Sequence, residues 1–503
     1  TGAAPLRAAL FAALARAERP TVVLVDGADL LTDVDGAPDL TWLPAEVPER
    51  VRLVVTTADP RPVDAALRHG WPVLEVPPLD AAERAAYVTT FLGRWSKGLD
   101  PVHVETLAAS PRTGDVLYLR TVLDELRQHG DHFTLGDVIA GYLAAETLDD
   151  LLELVLARYE RDFEADRPGL IADAFRAVWA ARRGLTEPEL LDLLGGAGEP
   201  LSHAVWSPLV LAAEAGLVTR SGLLDFATDA HRKAVEDRYL ATPEARRAAH
   251  AAVAAYFSAQ PLGPRVVEEL PWQQLGADDL DGLVRTISDL SYLDVAYPQA
   301  PADLRRLWAR AEERGYSAVD AYRAVLDDPG AHPDQAWAVA RIVTDAGHPA
   351  QALGIHRHLV GTYRTGSAPR LRGSLLNLGA ALKDQGELTE AAAALDEAVA
   401  LSRAAGDAVV LQYALGNLGL VLTALGDLAG AVPLLEEALA LARTAGDAID
   451  IRSALGNLAG ARRSAGDTAA ALALLDEQEE LSRSVGDAVG TGYRQAHQHR
   501  GHG

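Results

Sequence analysis

Along the chain the spacing of apolar residues changes several times, and each change predicts a different kind of structure. Residues 5–18 (PLRAALFAALARAE) carry them at helical spacing until Arg19-Pro20 ends the pattern. Three β-type runs follow, TVVLVDGADLL (21–31), VRLVVTT (51–57) and WPVLEV (71–76), each flanked by Pro or Gly. Runs that are apolar throughout predict parallel strands covered on both faces. From Leu79 to about Arg161 the spacing is helical, and residues 168–240 predict helices around SGLLDF (221–226), with Gly222 in a tight β turn. The last third repeats on a longer scale. Asn377, Asn417 and Asn457 are 40 residues apart, as are Gly386, Gly426 and Gly466, and Gly406-Asp407 recurs as Gly446-Asp447 and Gly486-Asp487. Each unit reads as a helix A, a Gly-Asp or Gly-Glu turn, and a helix B. One such unit cannot bury its apolar face alone, so the units are expected to stack into a solenoid, with fainter units around Gly315 and Gly347.

Composition narrows the chemistry. The 503 residues hold 46 Lys+Arg against 71 Asp+Glu, a formal charge of −25, which disfavours nucleic acid and anionic membranes as partners. The segment 170–240 is itself acidic, with seven Arg/Lys against ten Asp/Glu, which argues against a DNA reader. Cysteine is absent, so disulfides, thiolate metal sites and cysteine nucleophiles are excluded. No uncharged apolar stretch of 18 or more residues is expected, nor a signal peptide, and the location implied is cytoplasmic. The chain opens on Thr1 and has no methionine, from which an upstream portion is expected. DVDGAPD (33–39) lacks the flanking pattern of a calcium loop and reads as a solvated loop, His497, His499 and His502 read as a disordered tail, and the sequence has neither a zincin nor a G-x-S-x-G motif.

The repeat, with its N-L-G helix A and G-D turn, resembles the tetratricopeptide family in a forty-residue form, over about 371–487 and more faintly over 301–365. In that family helices A line a concave groove and an Asn at this position contacts the main chain of a bound peptide. The resemblance therefore implies a peptide groove at Asn377, Asn417 and Asn457, with aromatic contact from Tyr413 and Tyr493; asparagines that tie neighbouring helices are the competing reading.

TVVLVDGADLL has the form of a Walker B strand, four apolar residues ending in a carboxylate suited to Mg²⁺. Together with RGLTEPELLDLLG (183–195), WSPLVLAAEAGLVTRSGLLDF (206–226), AVEDRYL (234–240) and ELPWQQL (269–275), it resembles the STAND class of signal-transduction NTPases. The similarity is to the NACHT-like group that includes nephrocystin and the telomerase-associated protein. The resemblance implies a mainly α chain with a partial α/β NTPase core (1–78), a helical lid (79–166), a winged helix (167–260), a helical connector with a degenerate repeat (261–330) and an α-solenoid of tetratricopeptide hairpins (331–503). It further implies that Asp26 holds Mg²⁺ and Asp29 orients the attacking water. ATP or ADP would be approached by Thr57, by Asp115 and Val116 at the lid, and by Thr228 or His231 of the winged helix. Thr57, Asp115-Val116 and Thr228 each depart from the family's usual residues.

A Walker A loop needs Gly-Lys-Ser/Thr, and the three lysines, Lys97, Lys233 and Lys383, all stand in other contexts. Either the loop precedes Thr1, the preferred reading because 5–18 resembles the helix before Walker B, or it has been lost. Two functions stay open: a nucleotide-switched signalling ATPase whose solenoid senses a protein or peptide and which oligomerises when active, or a scaffold with a decayed core. A transcriptional regulator is a third.

Overall fold

The computed structural model describes residues 10–11, 13–14, 16–17, 19–31, 36–43, 47–196 and 198–485. The helical pattern of 5–18 falls largely outside these residues, as do Asp33 and Asp35, the Gly486-Asp487 turn, Tyr493 and the tail histidines. The chain divides into two compact units, residues 1–75 with 322–503, and residues 76–321.

At the start of the first unit, β1 (Thr21–Val25) and β2 (Val51–Val55) pair in parallel, Thr21 opposite Val51 through Val25 opposite Val55. Helix α1 (Pro60–Arg68) follows, its first turn capped by the Asp59 carboxylate. Ala28, Leu40, Leu43 and Ala65 form a small core with Leu53, Val55 and Trp71, and Arg61 and Arg68 hold Asp39 from the same side. Two expectations are corrected here. The sheet is covered on one face only, since Val22 and Leu24 are 70% and 63% exposed and Val54 is exposed beside them. WPVLEV forms no strand, and Val73, Leu74 and Val76 are exposed. A β-type run becomes a strand only where a neighbour takes its N–H and C=O groups, and here none pairs with it.

The second unit is helical except for one hairpin. It opens with α2 (Ala81–Gly93), α3 (Pro101–Ala109), α4 (Val116–Gln128), α5 (Leu135–Ala144) and α6 (Leu148–Phe163), packed around Val88, Leu107, Leu119, Val122, Leu123, Ile139 and Leu151. Capping boxes at Asp80/Glu83 and Thr147/Asp150 fix where α2 and α6 begin. Next come α7 (Leu170–Ala180), α8 (Glu187–Leu194), α9 (His203–Ala212), the antiparallel hairpin β3 (Leu217–Arg220) and β4 (Leu223–Phe226), and α10 (Asp229–Tyr239). The hairpin turns on Ser221 and Gly222, both in the left-handed region, the combination a two-residue turn requires. Trp206, Phe175, Leu185 and Phe226 centre this module's core.

Helices α11 (Pro243–Ser258), α12 (Pro264–Gly276), α13 (Leu280–Ser288), α14 (Leu290–Gln299), α15 (Pro301–Glu313) and the short α16 (Ala318–Ala321) complete the unit. The ELPWQQL segment sits on α12. Its Glu269 is fully buried and accepts the Arg182 N–H at 3.1 Å, while Trp272 Nε1 and Gln273 Nε2 both donate to the Ala180 carbonyl. These bonds satisfy the buried C-terminal carbonyl of α7, so the residues that stand out in the sequence join the hairpin module to the helices after it.

The solenoid returns to the first unit. After α17 (Arg323–Asp327), antiparallel pairs stack in order: α18 (Ala336–Asp345) with α19 (Pro349–Arg364), α20 (Ala368–Asp384) with α21 (Leu388–Ala405), α22 (Ala408–Leu425) with α23 (Leu428–Ala445), and α24 (Ala448–Ser464) with α25 (Thr468–Val485). Gly406 and Gly446 end their helices in the left-handed conformation, and the next residue, Asp407 or Asp447, caps the following helix. A two-residue Gly-Asp link therefore stops one helix and starts the next. Helix α22 corrects another expectation: its 18 residues carry no charge and are long and apolar enough to cross a membrane. Here Leu415, Leu418 and Val421 pack against the neighbouring repeats.

The second helices of successive repeats are tied by ion pairs at one register: Arg364 to Glu397, Arg403 to Glu437 and Arg443 to Glu477, with Arg357 to Glu390 beside the first. His356, on α19, is buried, and burial next to Arg341 pushes its pKa down to about 4. A histidine depressed from its ordinary 6.5 binds protons more readily unfolded than folded, so its contribution is intact above pH 6.5 and falls as pH drops toward 4. Urea midpoints measured at pH 7 and pH 4.5 should separate more for the wild type than for His356→Gln. Equal separations would exclude the buried imidazole as the cause.

Candidate functional site

The candidate residues fall into three groups, two in the first unit and one in the second. Where β1 ends, Asp26 leaves the strand and Gly27 turns the chain with a positive φ. The Asp26 carboxylate accepts the Thr56 hydroxyl, Thr56 Oγ1 accepts the Gly27 N–H at 3.0 Å, and Asp29 accepts the Ala58 N–H at 3.1 Å. Both acids thus tie the loop after β1 to the loop after β2, each with one carboxylate oxygen left over. Thr57 is turned aside, its hydroxyl exchanging hydrogen bonds with Asp59. Thr56 was the partner that pattern reading missed; the signal was a hydroxyl at the end of the second β run, level with the acid that ends the first.

In the second unit the lid and hairpin residues cap helices. The Asp115 carboxylate accepts the N–H groups of Leu117 and Tyr118 at 2.7 and 2.9 Å and so starts α4, with Val116 exposed beside it. Thr228 starts α10 and its hydroxyl meets His231 Nδ1 at 2.7 Å. Burial, with Arg120 nearby, pushes the His231 pKa down to about 4, so the ring is neutral at pH 7. Gly216 leaves room for that ring, since a Cβ there would stand 2.9 Å from its Cδ2. His231, Leu117, Arg120 and Asp124 line a cavity of about 40 Å³, enough for one or two waters. The structure brings α4 and α10 to this one cavity, while Asp115 and Val116 stand outside its lining.

The third group lies on the first helices of the solenoid hairpins. Asn377, Asn417 and Asn457 occupy equivalent positions on α20, α22 and α24, half-buried in each case. Asn417 donates to the Tyr413 carbonyl of its own helix at 2.9 Å, whereas the Asn377 and Asn457 amides have no hydrogen-bond partner among the described residues. Tyr413 is 43% exposed and donates to Asp450 on α24 at 2.9 to 3.0 Å. None of the three asparagines bonds to a neighbouring helix, as inter-helix ties would. Groups of acidic or histidine side chains arranged to hold a metal are absent among the described residues.

The tetratricopeptide-repeat family profile matches residues 371–444 and 410–484, so the C-terminal third carries tetratricopeptide repeats. A TPR repeat-containing protein of Dictyostelium discoideum is 30% identical over 311 residues, 61% of this chain and 18% of that protein. The NACHT domain- and WD repeat-containing protein 1 of Mus musculus is 27% identical over 264 residues, 47% of this chain and 16% of that protein. The chain thus spans less than a fifth of the length of these relatives. Among solved structures, a STAND protein with a tetratricopeptide repeat sensor from Pyrococcus horikoshii aligns over 94% of this chain and 69% of its own, at 12% identity and a TM-score of 0.36.

Proposed function

We propose that the chain is the sensing and relaying portion of a STAND-type signalling protein, cytoplasmic, whose solenoid binds a protein or peptide and whose core answers to ATP or ADP with Mg²⁺. The observation that carries this reading is the row of half-buried asparagines on the first helices of consecutive hairpins, two of them with amides unspent among the described residues, in an array that repeat proteins use for binding. In this reading β1 and β2 belong to an NTPase core, α2–α6 form the lid, and α7–α10 with the hairpin form a winged helix that relays the nucleotide state. Within the core, Asp26 holds Mg²⁺ and Asp29 places water. Ligand capture releases the closed state and permits self-association.

A second reading is favoured by the β loops. Both acids are engaged, by Thr56 and Ala58, which suits a scaffold with a decayed core. Calorimetric titration with Mg²⁺-ADP and Mg²⁺-ATP separates the two. Binding heat that disappears in Asp26→Ala supports the switch. Heat that survives the substitution removes Asp26 from the nucleotide site, and absence of heat leaves the solenoid as the working part of these 503 residues.

A further inference from the structure

Resting on the reading of the solenoid as a peptide binder, we infer that it selects an extended segment in which an apolar side chain stands beside a lysine or arginine. The inference comes from one patch spanning α22 and α24. On α22, Val409, Tyr413 and Asn417 are spaced by four and share a stripe; on α24, Ile449, Ser453 and Asn457 repeat that stripe 40 residues on. The hydrogen bonds from Tyr413 to Asp450 join the two stripes.

Three of the solenoid's exposed large apolar side chains fall here. Val409 and Ile449 are 66% and 50% exposed, and with Tyr413 they make three large apolar side chains open to solvent at the same end of adjacent inner helices. Single exposed apolar residues mean little, but several on neighbouring helices beside hydrogen-bonding side chains mark a recognition surface. The unspent Asn457 amide lies two turns along from Ile449, where it can meet the main chain of an extended segment.

Charge gives the partner its sign. On the second helices Arg364, Arg403 and Arg443 are each neutralised by a glutamate of the next repeat. Asp450 has no ion pair among the described residues; its carboxylate receives only the Tyr413 hydroxyl, whose pKa burial and Asp450 push up to about 12. An uncompensated carboxylate on the edge of an aromatic ring attracts a cation twice over, through the charge and through the ring face. A peptide carboxylate at the same place would meet repulsion. The apolar neighbours Val409 and Ile449 take the adjoining side chain.

Fluorescence anisotropy with tagged octapeptides tests this on the full chain: alternating leucine and arginine, alternating leucine and glutamate, and alternating serine and arginine. The leucine-arginine peptide should bind at least about tenfold more tightly than either control. Asp450→Asn, which keeps an oxygen for Tyr413, should weaken it about tenfold, and Ile449→Ser should weaken it as well, whereas Glu480→Gln, removing one exposed charge from the outer helix α25, should change little. Equal binding of the leucine-glutamate peptide, or equal effects of Asp450→Asn and Glu480→Gln, would overturn the selectivity while leaving peptide binding in place. Failure of all three peptides to bind would overturn the peptide-binding reading itself. Unchanged melting of each variant confirms that binding, not folding, is being read.

Discussion

Replacing Glu125 by alanine is expected to lower the stability of the second unit by about 3 kcal/mol, because it removes the buried partner of Arg158 and leaves that cation only the more exposed Asp162 at 3.3 Å. Glu125 sits on α4 with its side chain almost wholly enclosed. It holds Arg158 of α6 through both carboxylate oxygens and accepts the Tyr142 hydroxyl of α5 at 2.7 Å. Burial and this carboxylate push the Tyr142 pKa up, and the same acid raises that of Arg158, so the cluster is a charged pair with a neutral phenol attached. Glu125→Gln keeps two hydrogen-bonding atoms and should cost less than alanine. Urea unfolding followed by tryptophan fluorescence gives the comparison, and a loss below about 1 kcal/mol for Glu125→Ala would mean that Asp162 or water satisfies Arg158 without it.

Gly419→Val should be the most damaging single change in the solenoid, at about 2–3 kcal/mol. A Cβ at Gly419 would lie 2.5 Å from Leu435 Cγ and 2.7 Å from its Cδ2, and Gly379 meets Leu395 in the same way. The glycine of N-L-G lets helix A press its backbone onto the branched leucine of helix B. Gly419→Ala should be milder, because alanine recovers about 1 kcal/mol of helix propensity against the same crowding. Thermal melts by circular dichroism read both variants. A Gly419→Val protein that melts with the wild type would show that the two helices can move apart freely.

Much of the solenoid was legible because its signals are local and repeated. N-L-G marks the close helix contact, and Gly-Asp supplies a left-handed stop and a cap within two residues. The hairpin at Ser221-Gly222 was legible for a similar reason, since a two-residue turn needs positive φ. WPVLEV was misread because its residues favour a strand but a strand also needs a neighbour, which propensity does not record. The uncharged length of α22 escaped notice because Asn417 and its glycines break the apolar run by eye without adding charge. Glu125 was invisible: in LDEL it looks like the solvated side of an amphipathic helix, and only the approach of α5 and α6 reveals that it is enclosed. Of the candidate site, the acids after β1 and the asparagine row could be named from the sequence. Thr56 needed the register of the two β runs as well, and Asp450 could not be named, because it matters through a partner 37 positions away.

The ion pairs along the second helices govern how such an array can change its length. Each rung joins an arginine to a glutamate 33 or 34 positions later, in the next hairpin, and no rung of this row closes within a hairpin. Excising residues 408–447 would bring Glu477 to the place that Glu437 held opposite Arg403, and would set Asp407 before Ala448 as Asp447 now stands. Inserting a copy would do the reverse. Whole hairpins are therefore interchangeable parts whose joints already match, so duplication and deletion of forty-residue blocks can lengthen or shorten the array without leaving a mismatched charge at the seam.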